Sequence, residues 1–137
     1  MVTLIGLLAA PIAGVLTDRL GRAPLMLVGS VSTALSIGAL PLATTQRAYY
    51  ALMAIWSVGE ALLTTATAAL SADVTPPEQR GAQTSLLSQV GDLTFLVMPL
   101  MLGALAAAHG NSAAFAATSA LVLGANAGFW WLSAGRK

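Results

Sequence analysis

Charge is scarce in this chain, with five Asp and Glu and six Lys and Arg among 137 residues. A soluble domain carries about a quarter charged residues. At 8%, too little polar surface remains for a soluble globule or to keep a disordered chain solvated. Cysteine is absent, which excludes a disulfide scaffold and a cysteine metal site. His109 is the only histidine and falls in a connecting turn, so a positioned nucleophile and base are missing and the chain does not read as an enzyme. A net charge of +1 without a basic block argues against a nucleic-acid partner. The glycines around residues 14–21 lack the strand context and lysine of a phosphate loop, and no cofactor is implied.

What the chain does have is apolar length. Uncharged or nearly uncharged stretches cover residues 1–16, 24–43, 50–71, 82–108 and 113–134. At about 1.5 Å rise per residue, roughly 20 helical residues cross a ~30 Å hydrocarbon layer. Four stretches are long enough, and the first is short for a complete crossing. The first also lacks the basic start of a signal peptide and is interrupted by Pro11 and Gly14. No alternation of apolar and polar residues suggests a barrel, so helices are expected. The fold class is all-α and membrane-embedded, with four full transmembrane helices and one short N-terminal one. Membrane lipid is the first partner.

Alternating the five segments across a bilayer places Arg19, Arg22, Arg80, Arg136 and Lys137 on one side and Arg47 on the other. This is the positive-inside pattern. It sets the connections at 17–23 and 72–80 and the C-terminus in the cytoplasm, and Met1 outside. In the second connection, Thr75 reads as an N-cap, Pro76 as the first helical residue and Glu78 as the third-position acid, with Asp73 and Arg80 flanking them. Gly110 ends one helix and Ser112 caps the next. Tyr49 and Tyr50 suit the outer interface, and Trp130 and Trp131 the inner one. Gly29, Ser32, Ser36, Gly38, Gly124, Ala127 and Gly128 permit close helix approach in lipid.

Two acids lie inside apolar stretches. Glu60 shares a helical face with Thr64, Thr67 and Ser71, and Asp92 one with Ser85, Ser88 and Gln89. An Asp at a span centre costs ~2.5–3.5 kcal/mol to insert, so neither acid belongs against lipid. Each reads either as lining a cavity, with solute contact or proton coupling, or as a structural bond between helices. Two acids on separate helices do not make a metal site.

The turn Gly14-Val15-Leu16-Thr17-Asp18-Arg19-Leu20-Gly21-Arg22 carries the sharpest pattern. Gly14 permits close packing of a helix end, Gly21 a tight turn, and Asp18 a bond to helix-end amides or to Arg19 and Arg22. The pattern resembles the Major Facilitator Superfamily signature G-x-L-a-D-R-x-G-R-K/R. Gly14, Leu16, Asp18, Arg19, Gly21 and Arg22 match it, and Ala23 departs where a second basic residue is usual. Asp73 to Gly81 is similar to the family's D-x-x-P-x-x-x-R-G connection, and Gly91-Asp92, Pro99 and Phe115 continue the likeness. Met98-Pro99 with a lone Gly103 departs from the Gly-Pro and clustered glycines of the antiporter signature.

The resemblance implies a partial six-helix half-bundle over residues 1–137, placed as helices eight to twelve of a twelve-helix transporter. The implied function is secondary transport of a small solute by alternating access, in a plasma membrane and most simply a bacterial inner membrane. The chain would act as a fragment whose partners are the missing helices. Gly14, Asp18, Arg19, Gly21 and Arg22 would form a conformational latch; from its own position in the sequence Glu60 reads as facing the transport path or as a structural bond, and Asp92, nearer the cytoplasmic end, as a structural or gating residue or a second group on that path. The alternative is a small helical membrane protein that binds or regulates another membrane protein and transports nothing.

The basic-residue asymmetry sets the first test. Single cysteines placed by Ala23→Cys and Asn111→Cys should react with an impermeant thiol reagent from opposite sides of the membrane. Labelling of both from outside would reject the alternation.

Overall fold

The computed structural model describes the backbone of residues 2–134 and the side chains of residues 8–131. Met1, Arg136 and Lys137, which enter the orientation argument above, lie outside the described residues, as do the side chains that would decide how far the first segment crosses. The architecture is five helices: α1 (Val2–Leu20), α2 (Arg22–Ala39), α3 (Gln46–Val74), α4 (Arg80–His109) and α5 (Asn111–Ala134). Among the described residues, four segments are long and apolar enough to cross a membrane: Arg22–Leu42, Gln46–Val74, Pro77–His109 and Asn111–Trp131. The chain is therefore an all-α membrane protein with four membrane-spanning helices among the described residues.

The helix ends follow local chemistry. Gly21 has φ 89° and ψ 156°, a left-handed conformation that costs glycine little. Its N–H bonds the Thr17 carbonyl at 3.1 Å, closing α1 as α2 begins. At the other end of α2, Pro41 has no N–H to give the Ile37 carbonyl. The Leu40 N–H takes that carbonyl instead, and the chain tightens into a 3₁₀ turn at Leu40–Leu42. Thr45 then caps α3, its hydroxyl accepting from the Ala48 N–H at 3.2 Å.

Two capping expectations are corrected. Thr75 does not start a helix. It is the extended residue after α3, and Pro76 is also extended at φ −55° and ψ 145°. The residue before a proline is disfavoured in the α region, so Pro77 forces Pro76 out of it. The helical turn begins only at Pro77–Gln79, with α4 following from Arg80. Ser112 likewise lies inside α5, which begins at Asn111 directly after Gly110 with φ 88°.

Packing is organised around α2. It lies against α3 on one side and α5 on another, α1 packs on α3, and α4 packs on α5. The apolar core is small and made largely of alanine: Ala13, Leu25, Ala34, Ile37, Ala61 and Ala66. Buried beside it are the hydroxyls of Thr17, Ser30, Thr33, Ser36 and Ser57. The bulky side chains point outward, with Phe95 82% and Leu100 71% exposed. Lipid tails satisfy leucine as well as another helix does, so small residues that let backbones approach decide association.

That approach is closest between α2 and α3. A Cβ added at Gly29 would lie 2.7 Å from the Leu63 nitrogen and 2.8 Å from the Gly59 oxygen. One at Gly59 would lie 2.9 Å from the Thr33 hydroxyl. Gly38 leaves room for Ser119, whose hydroxyl donates to the Ala34 carbonyl at 2.8 Å and ties α5 to α2. Gly14, expected to permit close packing, is different: a Cβ there would meet nothing within 4 Å among the described residues. The buried positions at this end of α1 are Ala13 and Thr17, so Gly14 sits to one side of the contact.

A comparison of alanine substitutions tests this seam. Replacing helical Gly by Ala ordinarily gains ~0.5–1 kcal/mol, whereas overpacking costs ~1–3 kcal/mol. Reversible unfolding in bicelles should show Gly14→Ala and Gly124→Ala neutral or stabilising and Gly29→Ala destabilising. Equal effects at all three would refute a glycine-limited contact.

Candidate functional site

The first residue of α2 and the penultimate residue of α3 meet at one end of the bundle. Arg22 Nε lies 2.7 Å from Asp73 Oδ2, and Arg22 Nη2 donates to Asp73 Oδ1 at 3.3 Å. The Nε–H is not directed at its oxygen, so that contact is an ion pair and the Nη2 bond supplies the direction. Both side chains remain partly open, at 40% and 46% exposure.

Each charge is on the locally unfavourable end of its own helix. The amide dipoles place partial positive charge at the start of α2 and partial negative charge at the end of α3, and a like charge there costs ~0.3–1 kcal/mol. Neither residue is explained by the stability of its own helix. Antiparallel packing of α2 on α3 brings the two ends together and lets each side chain answer the other's misplaced charge.

Two residues of the following helix complete the cluster. Arg80 Nη2 donates to the Ala72 carbonyl at 3.3 Å, and Gln83 Nε2 donates to the Ser71 carbonyl at 3.1 Å. Carbonyls in the last turn of a helix have no intrahelical donor, and a cation there is also favoured by the dipole. The ends of α2 and α3 and the start of α4 are thus joined by polar bonds. Gln83 was not among the residues singled out from sequence. Its only signal was its spacing, one turn beyond Arg80 on the same face.

The remaining candidates stand apart. Asp18 and Arg19 are exposed in the last turn of α1, and among the described residues neither has an ion pair or hydrogen bond. The carboxylate that Arg22 meets is Asp73, and Asp18 takes no part. Glu78 is exposed in the 3₁₀ turn, an end of a helix where an acid is favoured. Glu60 and Asp92 are both exposed. Thr64 donates to the Glu60 backbone carbonyl at 2.8 Å, Ser71 to the Ala68 carbonyl at 3.1 Å, and Gln89 to the Ser85 hydroxyl at 3.3 Å. Their polar neighbours therefore bond locally, leaving both carboxylates without a partner among the described residues. No group of three metal-ligating side chains occurs among the described residues.

A charge-exchange experiment tests the pair. In a double-mutant cycle, Arg22→Gln and Asp73→Asn should show a coupling of ~0.2–1 kcal/mol, the range for exposed pairs. The exchanged protein, Arg22→Asp with Asp73→Arg, should be at least as stable as the original because each charge then suits its helix end. Zero coupling, or an exchanged protein weaker than both single variants, would refute the account.

Searches of curated proteins and of solved structures found no match to this chain. A family model does match: that of the Major Facilitator Superfamily, over residues 1–137. The match spans both polar connections and all five helices, and with it the chain belongs to the Major Facilitator Superfamily, whose members are membrane transporters and not enzymes.

Proposed function

We propose that the chain serves in secondary transport of a small solute by alternating access, as helices eight to twelve of a longer transporter in a bacterial inner membrane. The observation that carries this reading is the state of Glu60. It lies well inside α3, more than three turns from either end, on an exposed face and without a partner among the described residues. A carboxylate at that depth must meet water, a proton or another polar group, because lipid would impose ~2.5–3.5 kcal/mol. Asp92, equally unpartnered in α4, extends the same argument. Both acids line the transport path in this reading, and Glu60 exchanges a proton during the cycle.

The cytoplasmic cluster supplies the latch. Each exposed ion pair is worth only ~0.2–1 kcal/mol, weak enough to break and re-form in every cycle. Arg22 with Asp73, Arg80 and Gln83 holds the helix ends in one arrangement. Asp18 and Arg19, which make no ion pair or hydrogen bond among the described residues, are available to the helices of the other half.

The test is transport by the complete parent under a controlled proton gradient. Glu60→Gln should abolish the pH dependence of transport, and Asp18→Asn should slow interconversion of the inward and outward states while leaving solute affinity nearly unchanged. Unchanged pH dependence in Glu60→Gln would return that residue to a structural role. Saturable, cargo-specific flux through vesicles holding this chain alone would overturn its reading as part of a larger transporter.

A further inference from the structure

α3 is held between α1 and α2, with Gly59 and Ala66 buried on one side and Ser57 and Ala61 on the other. Two faces of the helix stay open, and they differ in chemistry. One shows Ala51, Ile55 and Val58, which lipid satisfies. The other, about 140–160° around the helix from Ile55 and Val58, shows Glu60 and Thr64 with the half-buried Trp56. Trp56 precedes Glu60 by four residues, so their Cβ atoms lie about 5–6 Å apart on one face. Helical side chains lean toward the N-terminus, so Glu60 reaches over the turn that carries the indole. Tryptophans of membrane helices favour the interface, which suits Trp130 and Trp131 near the end of α5. Trp56 instead lies about 9 Å further into α3 than Tyr50, and its N–H has no hydrogen bond among the described residues.

Among the described residues no cation answers Glu60 at this depth. Along α3 the nearest is Arg47, about 20 Å away at the start of the helix. Arg19, Arg22 and Arg80 gather at the opposite end with Asp73, which is about as far from Glu60. The hydroxyls of Thr64 and Ser71 donate to carbonyls of α3 itself. What a ligand meets on this face is a carboxylate with an aromatic ring beside it. An anion is repelled by the first, and a neutral polyol finds few free hydrogen-bonding groups. A cation with an apolar body is attracted by both, because the carboxylate supplies charge and indole is the strongest of the aromatic faces for a cation. We propose that the transported solute is an organic cation of this kind, held between Glu60 and Trp56. The inference rests on the transport reading and adds the chemical class of the solute.

Binding of tritiated benzyltrimethylammonium to the full chain in a maltoside detergent, read by scintillation proximity, tests the site and should be saturable. Choline should compete, and its uncharged isostere 3,3-dimethylbutanol should not, a comparison on the original protein that depends on no variant folding. Glu60→Gln should abolish binding. Glu78→Gln removes an exposed acid with no aromatic residue beside it and should leave binding unchanged. Trp56→Leu should weaken binding about tenfold and Trp56→Phe by less, the order of the ring faces. Absence of saturable binding, equal competition by the uncharged isostere, full binding by Glu60→Gln, or unchanged affinity in both Trp56 variants would each overturn the proposal. Flux through the complete parent separates the site from the reading beneath it. Saturable flux of a neutral solute that benzyltrimethylammonium does not inhibit would overturn the cation class and leave transport standing. Cation binding by the chain with no flux of the cation or any other solute through the parent would uphold the site and overturn the transport reading.

Discussion

Close backbone contact between α2 and α3 is the constraint on which the rest of this bundle depends. In lipid, an exposed leucine is already in a favourable solvent, so helices gain little by hiding large side chains from it. Association must come from dispersion contacts made at short range, and those decay quickly with separation. Gly29 and Gly59 remove the atoms that would hold the helices apart. With that seam closed, Thr33, Ser36 and Ala34 are buried along α2, and Ser119 reaches the Ala34 carbonyl from α5. The inversion of the usual pattern, with small and hydroxylated residues inside and leucines outside, follows from the solvent and needs no separate cause.

The same seam determines the electrostatics. Because α2 and α3 run antiparallel in close contact, the start of one helix lies beside the end of the other. Arg22 and Asp73 would each oppose the dipole of its own helix, and their pairing at 2.7 Å is what the packing makes available. Arg80 and Gln83 then close the carbonyls left at the end of α3. The polar end of the bundle is thus a product of helix packing, held by contacts that are individually weak.

Away from this end, the bundle leaves its polar groups unevenly served. Hydroxyls can turn back to carbonyls of their own helix, as Thr17, Thr64, Thr94 and Thr118 do, so they are tolerated in lipid or core alike. Carboxylates have no such local donor. Glu60 and Asp92 are therefore left without a partner among the described residues, as are the buried hydroxyls of Thr33 and Ser36, and α4 has no buried residue along its length.

The sequence by itself determined the membrane class, the helical character of the chain and its four long apolar spans. These properties are local: apolar length sets a span, and Gly21, Pro41 and Gly110 act on their own backbone. It also marked the two polar connections, because their charges stand out against an apolar chain. The Thr75 capping pattern misled because a second proline outweighed it, a competition between two local rules that the residue types alone leave undecided. Only the tertiary structure decided that Arg22 meets Asp73, 51 residues away, that Gly29 and not Gly14 lies at a close contact, and that Gln83 joins the cluster. Each of those depends on how a helix is rotated about its axis and how far it is shifted along its neighbour. Periodicity marks which residues share a face, but the rotation and shift come from packing between segments distant in the chain.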